Sequence, residues 1–149
     1  MVQPVLPLIL ASGSPRRREL LDLMGLTYTV ETPDADESFS GRPSETVMEI
    51  SRRKAAAVAA RHSDSIIIAA DTLVFADGAL GKPHTPERAK EMLRSLAGNW
   101  HHVYTGITVI NTRSGRILRN VDKTPVHLVP MTEQEIDSYV ATGEPLDKA

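Results

Sequence analysis

The stretch "LPLILASGSPRRRELLDLMG", residues 6–25, joins an apolar run to a turn of small residues and the start of an amphipathic segment. Residues 6–11 have the composition of a buried strand, and a serine-glycine-serine turn follows them. Ser14 is predicted as the N-cap and Pro15 as the first residue of a helix that runs to Met24. The stretch therefore predicts a strand, a turn and a helix, which is the opening unit of many α/β folds.

Three consecutive arginines, Arg16, Arg17 and Arg18, stand in the first turn of this helix. Positive charge is unfavourable at a helix N-terminus, where free N–H groups and the helix dipole attract anions. A bound phosphate chain would make the position of the arginines favourable, because the guanidinium groups and the helix dipole would both attract its negative charge. The residues leave open a second interpretation, in which the arginines are solvated or paired with Glu19 and Asp22. We expect Arg18 to be the solvated one.

The rest of the chain alternates between strand and helix patterns. Strands are predicted at residues 27–31, at residues 66–70 and in two long segments joined through Ser114-Gly115. Helices are predicted from Ser44 to about Arg61, from Thr85 to near Gly98, and from Thr132 to about Ala141. Thr132 and Glu135 have the spacing of a capping box. The pattern predicts an α/β fold, with a mixed twisted sheet and helices on its faces, in one domain over residues 1–149.

Asp71 is predicted to end the apolar strand Ile66–Ala70, a position where open α/β sheets carry ligand-binding groups. An ionised carboxylate there could deprotonate or orient a water molecule, or could hold Mg²⁺. An ordinary turn aspartate is the alternative. Thr72 beside it offers a hydroxyl group.

Two lysines and an acidic loop extend this set. Lys54 lies on the long predicted helix, and Lys82 stands between a glycine and a proline that restrict its loop. Asp34, Asp36 and Glu37 are either a solvated cluster or oxygen ligands for a divalent cation. Arginines, lysines and carboxylates in one pocket would suit phosphoryl chemistry, because cations offset the developing charge while one base activates water.

The composition excludes several classes of protein. The formal net charge of -2 argues against a protein that coats nucleic acid, and the absence of cysteine excludes disulfides and thiolate chemistry. The first apolar run is far shorter than the ~20 residues of a membrane span. We therefore expect a cytoplasmic protein with neither a nucleic-acid nor a membrane partner. The five histidines show no ligand spacing and are interpreted as structural or surface residues.

Several motifs together, in order, resemble the Maf family of nucleoside triphosphate pyrophosphatases, also called septum formation inhibitors. They are "LILASGSPRRRELLDLMG", "SRRKAAAVA", "IIAADTLV", "LGKP", "AKEMLRSLAG", "HHVYTGITV" and "YVATGEPLDKA". The resemblance implies a fold like that of inosine triphosphatases, hydrolysis of a nucleoside triphosphate to the monophosphate and pyrophosphate with Mg²⁺ or Mn²⁺, and a homodimer.

The resemblance also implies roles for individual residues. Asp71 would accept the proton, and either Asp36 or Glu37 would match the acidic position of the family's loop. Asp36, Glu37 and Asp71 are the candidate metal ligands. Binding of the substrate and its phosphates would fall to Ser14, Arg16, Arg17, Lys54, Thr72 and Lys82, with Arg16 and Thr72 also contributing to substrate choice.

The end of the sequence bears on the substrate and on activity. "GEPLDKA" resembles family members that act on dTTP and UTP, so we expect these two substrates. The sequence stops at Ala149, before the glycine-rich closing segment of the family pattern, and is expected to lack it. The alternative function is therefore a catalytically weak, nucleotide-binding regulator of cell division and septum formation.

Overall fold

The computed structural model describes residues 6–76, 79–80, 83 and 85–143, and at 79–80 the backbone alone. The strands are β1 (Leu8–Ala11), β2 (Thr29–Glu31), β3 (Ile66–Phe75), β4 (Ala79–Leu80), β5 (Trp100–Asn111) and β6 (Ile117–His127). The helices are α1 (Pro15–Leu23), α2 (Pro43–Ala59), α3 (Pro86–Leu96) and α4 (Glu133–Ala141). The predicted alternation of strands and helices, and with it the α/β class, is confirmed.

The strands form a sheet in the order β2-β1-β3-β5-β6, with β4 paired to β3 outside this path. Strand β1 runs parallel to both of its neighbours, and Ile9 pairs with Thr29 of β2 and with Ile67 of β3. Strand β4 is antiparallel to β3. The sheet is therefore mixed, as the sequence predicts.

The chain divides into two units, the first comprising the described residues of 6–71 and 105–122, the second those of 72–104 and 123–143. The core of the first unit is formed by Ile9, Ala11, Ala55, Val58, Ile67, Ala69 and Ile110. In the second unit α3 packs against α4 around Ala89, Ile136 and Val140. None of the described helices has the length and apolar character that crossing a membrane requires.

Helix α2 approaches β5 closely because Gly106 has no side chain. A Cβ at this position would lie 2.3 Å from the carbonyl oxygen of Val47. Close by in the sequence, the buried hydroxyls of Ser51 and Thr108 join the same two elements by a hydrogen bond of 2.8 Å. These contacts fix the helix that carries Lys54.

The predicted element ends are confirmed in part. Thr132 and Glu135 form the predicted capping box of α4. The prediction that Ser44 caps the long helix is wrong: α2 begins at Pro43, with Arg42 as the N-cap, because proline suits the first helical position.

Candidate functional site

Asp71 lies inside β3, so the prediction that it ends its strand is wrong. The strand continues to Phe75, whereas its parallel neighbour β1 pairs through Leu10 and Ile68 and ends at Ala11. Asp71 therefore lies beyond the carboxyl end of β1, the region of a parallel sheet where ligands bind. The strand is longer than the apolar run because it continues past Asp71 to Phe75.

Lys54 of α2 is the direct partner of Asp71. Its Nζ lies 3.2 Å from Asp71 Oδ1 and 3.5 Å from the carbonyl oxygen of Ala70. The two side chains are only 14% and 17% exposed, so water screens their attraction little. Burial raises the pKa of Asp71 above its ordinary value, and Lys54 opposes that rise.

The acidic loop, residues 32–42, supplies the second carboxylate. Glu37 Oε1 lies 3.1 Å from Lys54 Nζ, so the ammonium group pairs with Glu37 as well as with Asp71. The side chain of Glu37 is 63% exposed. Asp36 is directed elsewhere: its Oδ1 accepts hydrogen bonds from the backbone N–H and the hydroxyl of Ser38, which lower its pKa.

The turn between β1 and α1 places Arg17 beside these groups. The buried Ser12 Oγ accepts hydrogen bonds from the backbone N–H of Ser14, at 3.0 Å, and from Arg17 Nη1, at 3.3 Å. Burial lowers the pKa of Arg17, and attraction to Asp71 and Glu37 opposes this change. The guanidinium therefore belongs electrostatically to the same cluster.

Sequence reasoning missed Ser12 as a functional residue. The signal was its place as the first residue after a buried strand, where a small hydroxyl side chain reaches the turn and the following helix. Arg53, which contacts the acidic loop, was also missed.

The other two predicted residues of the turn lie nearer the surface. Ser14 is the N-cap of α1, as predicted, but its side chain makes no capping hydrogen bond. Arg16 is exposed in the first turn of α1. Their roles in phosphate binding stay predictions.

Two further predicted residues, Thr72 and Lys82, follow this cluster along the chain. Thr72 follows Asp71 in an extended strand, where neighbouring side chains point to opposite faces of the sheet. Lys82 lies outside the described residues. The specificity role of Thr72 and the binding role of Lys82 therefore stay predictions.

Asp71 and Glu37 are the acidic pair available to a cation in this cluster. Their oxygens share the ammonium of Lys54. Within the described ranges no group of three or more His, Asp or Glu side chains has the spacing to hold a metal ion, and Asp36 does not complete such a group. Metal binding stays a prediction, and it rests mainly on Asp71 and Glu37.

Comparison with known proteins identifies one matching family and relatives that share one name. The family model described as Maf-like protein matches residues 7–149. A dTTP/UTP pyrophosphatase of Halalkalibacterium halodurans is 45% identical over 146 residues, covering 96% of this chain and 76% of the relative. The dTTP/UTP pyrophosphatases of Bacillus mycoides and Thermotoga petrophila are each 44% identical over 145 residues and are covered to 75% and 70% of their length.

Proposed function

Because the chain belongs to the Maf family, we propose that it is a nucleoside triphosphate pyrophosphatase that converts dTTP and UTP to the monophosphate and pyrophosphate. The observation that carries the proposal is the contact of Lys54 with Asp71 at the carboxyl edge of β1, with Arg17 beside it. The names of the relatives supply the substrates. This cluster combines a base with cations, as phosphoryl transfer requires.

Arg17 and the N-terminus of α1 are proposed to bind the phosphate chain. Ser12 fixes Arg17 through the hydrogen bond from Nη1, which holds the guanidinium near Asp71 and Glu37. A guanidinium can bind phosphate oxygens through two parallel hydrogen bonds. Arg16, in the same helical turn, is exposed to solvent and to an incoming nucleotide. Ser14 and Lys82 are proposed as further phosphate contacts on the family resemblance.

Asp71 is proposed as the proton acceptor. Burial increases its proton affinity, while the contact with Lys54 favours the ionised form that a base requires. In the proposed step a water oxygen bonds to one phosphorus of the α–β anhydride and its proton passes to Asp71. The bond from that phosphorus to the bridging oxygen breaks, and the nucleoside monophosphate and pyrophosphate separate. Lys54 remains beside the carboxylate as it becomes neutral.

A divalent cation, Mg²⁺ or Mn²⁺, is proposed to be held by Asp71 and Glu37, with Asp36 in the same loop as a further candidate. The donors fit, because Mg²⁺ commonly binds through one or two carboxylates together with substrate phosphates. When bound, the cation would offset negative charge on the phosphate oxygens.

The remaining family expectations are also proposals. Thr72 is proposed as a specificity residue, the protein as a homodimer, and the cytoplasm as its location; the absence of cysteine in the sequence supports a reducing compartment. The relatives named above are enzymes by name, which favours the pyrophosphatase over a catalytically weak regulator of septum formation.

A substrate panel tests the proposal. The protein is incubated with dTTP, UTP, dCTP and GTP in Mg²⁺, and the products are separated by anion-exchange chromatography. We expect dTTP and UTP to give monophosphate and pyrophosphate in equal amounts. Release of orthophosphate from these nucleotides would overturn the proposed reaction, and binding without turnover would favour the regulator.

A further inference from the structure

The acidic loop contacts α2 through one arginine as well as through Lys54. Arg53 Nη1 donates hydrogen bonds to the carbonyl oxygens of Asp36, at 3.1 Å, and Ser38, at 2.7 Å. Its guanidinium carbon lies 5.6 Å from the ring centroid of Phe39, within the range of a cation–π contact. The two carbonyls flank Glu37 on either side, so Arg53 fixes the backbone from which that side chain projects.

Arg53 is itself held on the helix. Its Nε donates to Glu49 Oε1 at 3.2 Å, and Arg52 donates to both oxygens of the same carboxylate. Hydrogen bonds from Arg52, reinforced by Arg53, lower the pKa of Glu49 to about 2. Glu49 is therefore ionised at neutral pH, where it can hold the Arg53 guanidinium.

The contact between Glu37 and Lys54 cannot hold the loop by itself. Glu37 is 63% exposed, so water partly screens its attraction to Lys54, and holding this exposed side chain in the pair costs side-chain entropy. The side chain of Arg53 is only 28% exposed, and it makes charge-assisted hydrogen bonds to backbone carbonyls. These bonds do not require a second flexible side chain to be held in place. We therefore expect the position of the acidic loop to depend more on Arg53 than on the ion pair of Glu37 with Lys54.

We propose that Arg53 is a positioning residue that clamps the acidic loop to α2 and thereby keeps Glu37 beside Lys54 and Asp71. The role in the reaction rests on the proposed pyrophosphatase function, whereas the clamp itself does not. Arg53 precedes Lys54 on the helix, so one helical turn fixes both the loop backbone and its carboxylate. Loss of the clamp would release Glu37 and weaken the proposed divalent-cation site without touching Asp71.

The test compares Arg53→Ala, Arg53→Lys and the control Arg88→Ala, which removes an exposed arginine of α3 that pairs with Glu91 on the same helix. Hydrogen exchange of the acidic-loop amides is measured in the full chain without nucleotide. Activity is then titrated with Mg²⁺. For Arg53→Ala we expect at least about tenfold faster loop exchange, and a half-saturating Mg²⁺ concentration raised about 10–100-fold. At saturating Mg²⁺, kcat should change little.

The lysine variant separates the guanidinium geometry from the charge. Lysine lacks the planar guanidinium, so Arg53→Lys should recover less than half of the lost protection of the loop amides. Arg88→Ala should leave the exchange of these amides as in the wild type. Unchanged loop exchange in Arg53→Ala, or full recovery in Arg53→Lys, would overturn the clamp. Faster loop exchange with unchanged Mg²⁺ dependence would overturn the positioning role of Arg53 but not the proposed pyrophosphatase function. An inactive wild type would refute the pyrophosphatase function but not the contact of Arg53 with the loop.

Discussion

Lys54 Nζ lies 3.2 Å from Asp71 Oδ1 and is mostly buried, so a helix ammonium and a strand carboxylate form a weakly screened pair. Glu37 reaches the same ammonium from the acidic loop. One lysine therefore joins a helix, a strand and a loop, and each prediction about the reaction depends on this arrangement.

Replacing Lys54 should move the acid limb of the pH–rate profile. Asp71 must be ionised to accept a proton, so activity falls as pH decreases through its pKa. Because Lys54 lowers that pKa, Lys54→Met should shift the acid limb of kcat/KM to higher pH. The lost positive charge should also reduce kcat by roughly 10²–10³.

The control is Lys90→Met, since Lys90 pairs with Asp137 at 3.1 Å on the surface of α3 and α4. This variant should keep the wild-type profile. An acid limb that stays in place in Lys54→Met would show that Lys54 does not set the ionisation of the base.

Arg17→Ala should weaken nucleotide binding more than Arg18→Ala. Arg17 is held by Ser12 and interacts with the carboxylates, whereas Arg18 is exposed on the same helix. We expect KM for dTTP to rise roughly tenfold or more for Arg17→Ala, as for loss of one hydrogen bond to a charged group, and to stay within about twofold for Arg18→Ala. Equal effects in steady-state assays would refute the assignment of Arg17.

Asp71→Asn should stabilise the fold at neutral pH. The pKa of Asp71 is raised in the folded protein, so folding favours the protonated form. The free energy of unfolding of the wild type therefore declines as the pH rises from the pKa of Asp71 in the unfolded chain through its pKa in the folded protein. The neutral amide of Asp71→Asn does not titrate and so avoids this loss. Urea unfolding should show a larger advantage of Asp71→Asn at pH 7 than below the ordinary pKa of aspartate. A constant difference would contradict the raised pKa.

Gly106→Ala should destabilise the protein by about 1–3 kcal/mol or more, the range for overpacking. The added Cβ would lie 2.3 Å from the Val47 carbonyl oxygen, and neither backbone can move without disturbing the contact of α2 with β5. Gly13→Ala is the matched control, because a Cβ there meets no atom within 4 Å. Chemical denaturation that ranks the two variants equally would contradict this packing.

The sequence predicts features that depend on local chemistry. The capping box of α4 and proline at the start of α1 form as expected, and Gly25 and Gly143 adopt positive φ after their helices. These signals depend on residues a few positions apart, so no knowledge of the tertiary fold is needed. The β1–α1 turn was predictable for the same reason.

The sequence could not predict how far β3 extends or how the acidic loop is placed. Polar Asp71 interrupts the apolar pattern, yet the strand continues because later residues pair with β4. Arg53 reaches Ser38 across a separation set only by tertiary folding. Neither the strand length nor this loop contact has a local signal.

In the proposed reaction Asp71 is the base of a nucleotide-hydrolysing site. Its most direct test is kcat/KM for dTTP hydrolysis in Mg²⁺, with wild type and Asp71→Asn compared at equal folded fraction. We expect monophosphate and pyrophosphate from the wild type and a loss of kcat/KM of about 10²- to 10⁴-fold in the variant. Hydrolysis by Asp71→Asn within a few-fold of the wild type would contradict it.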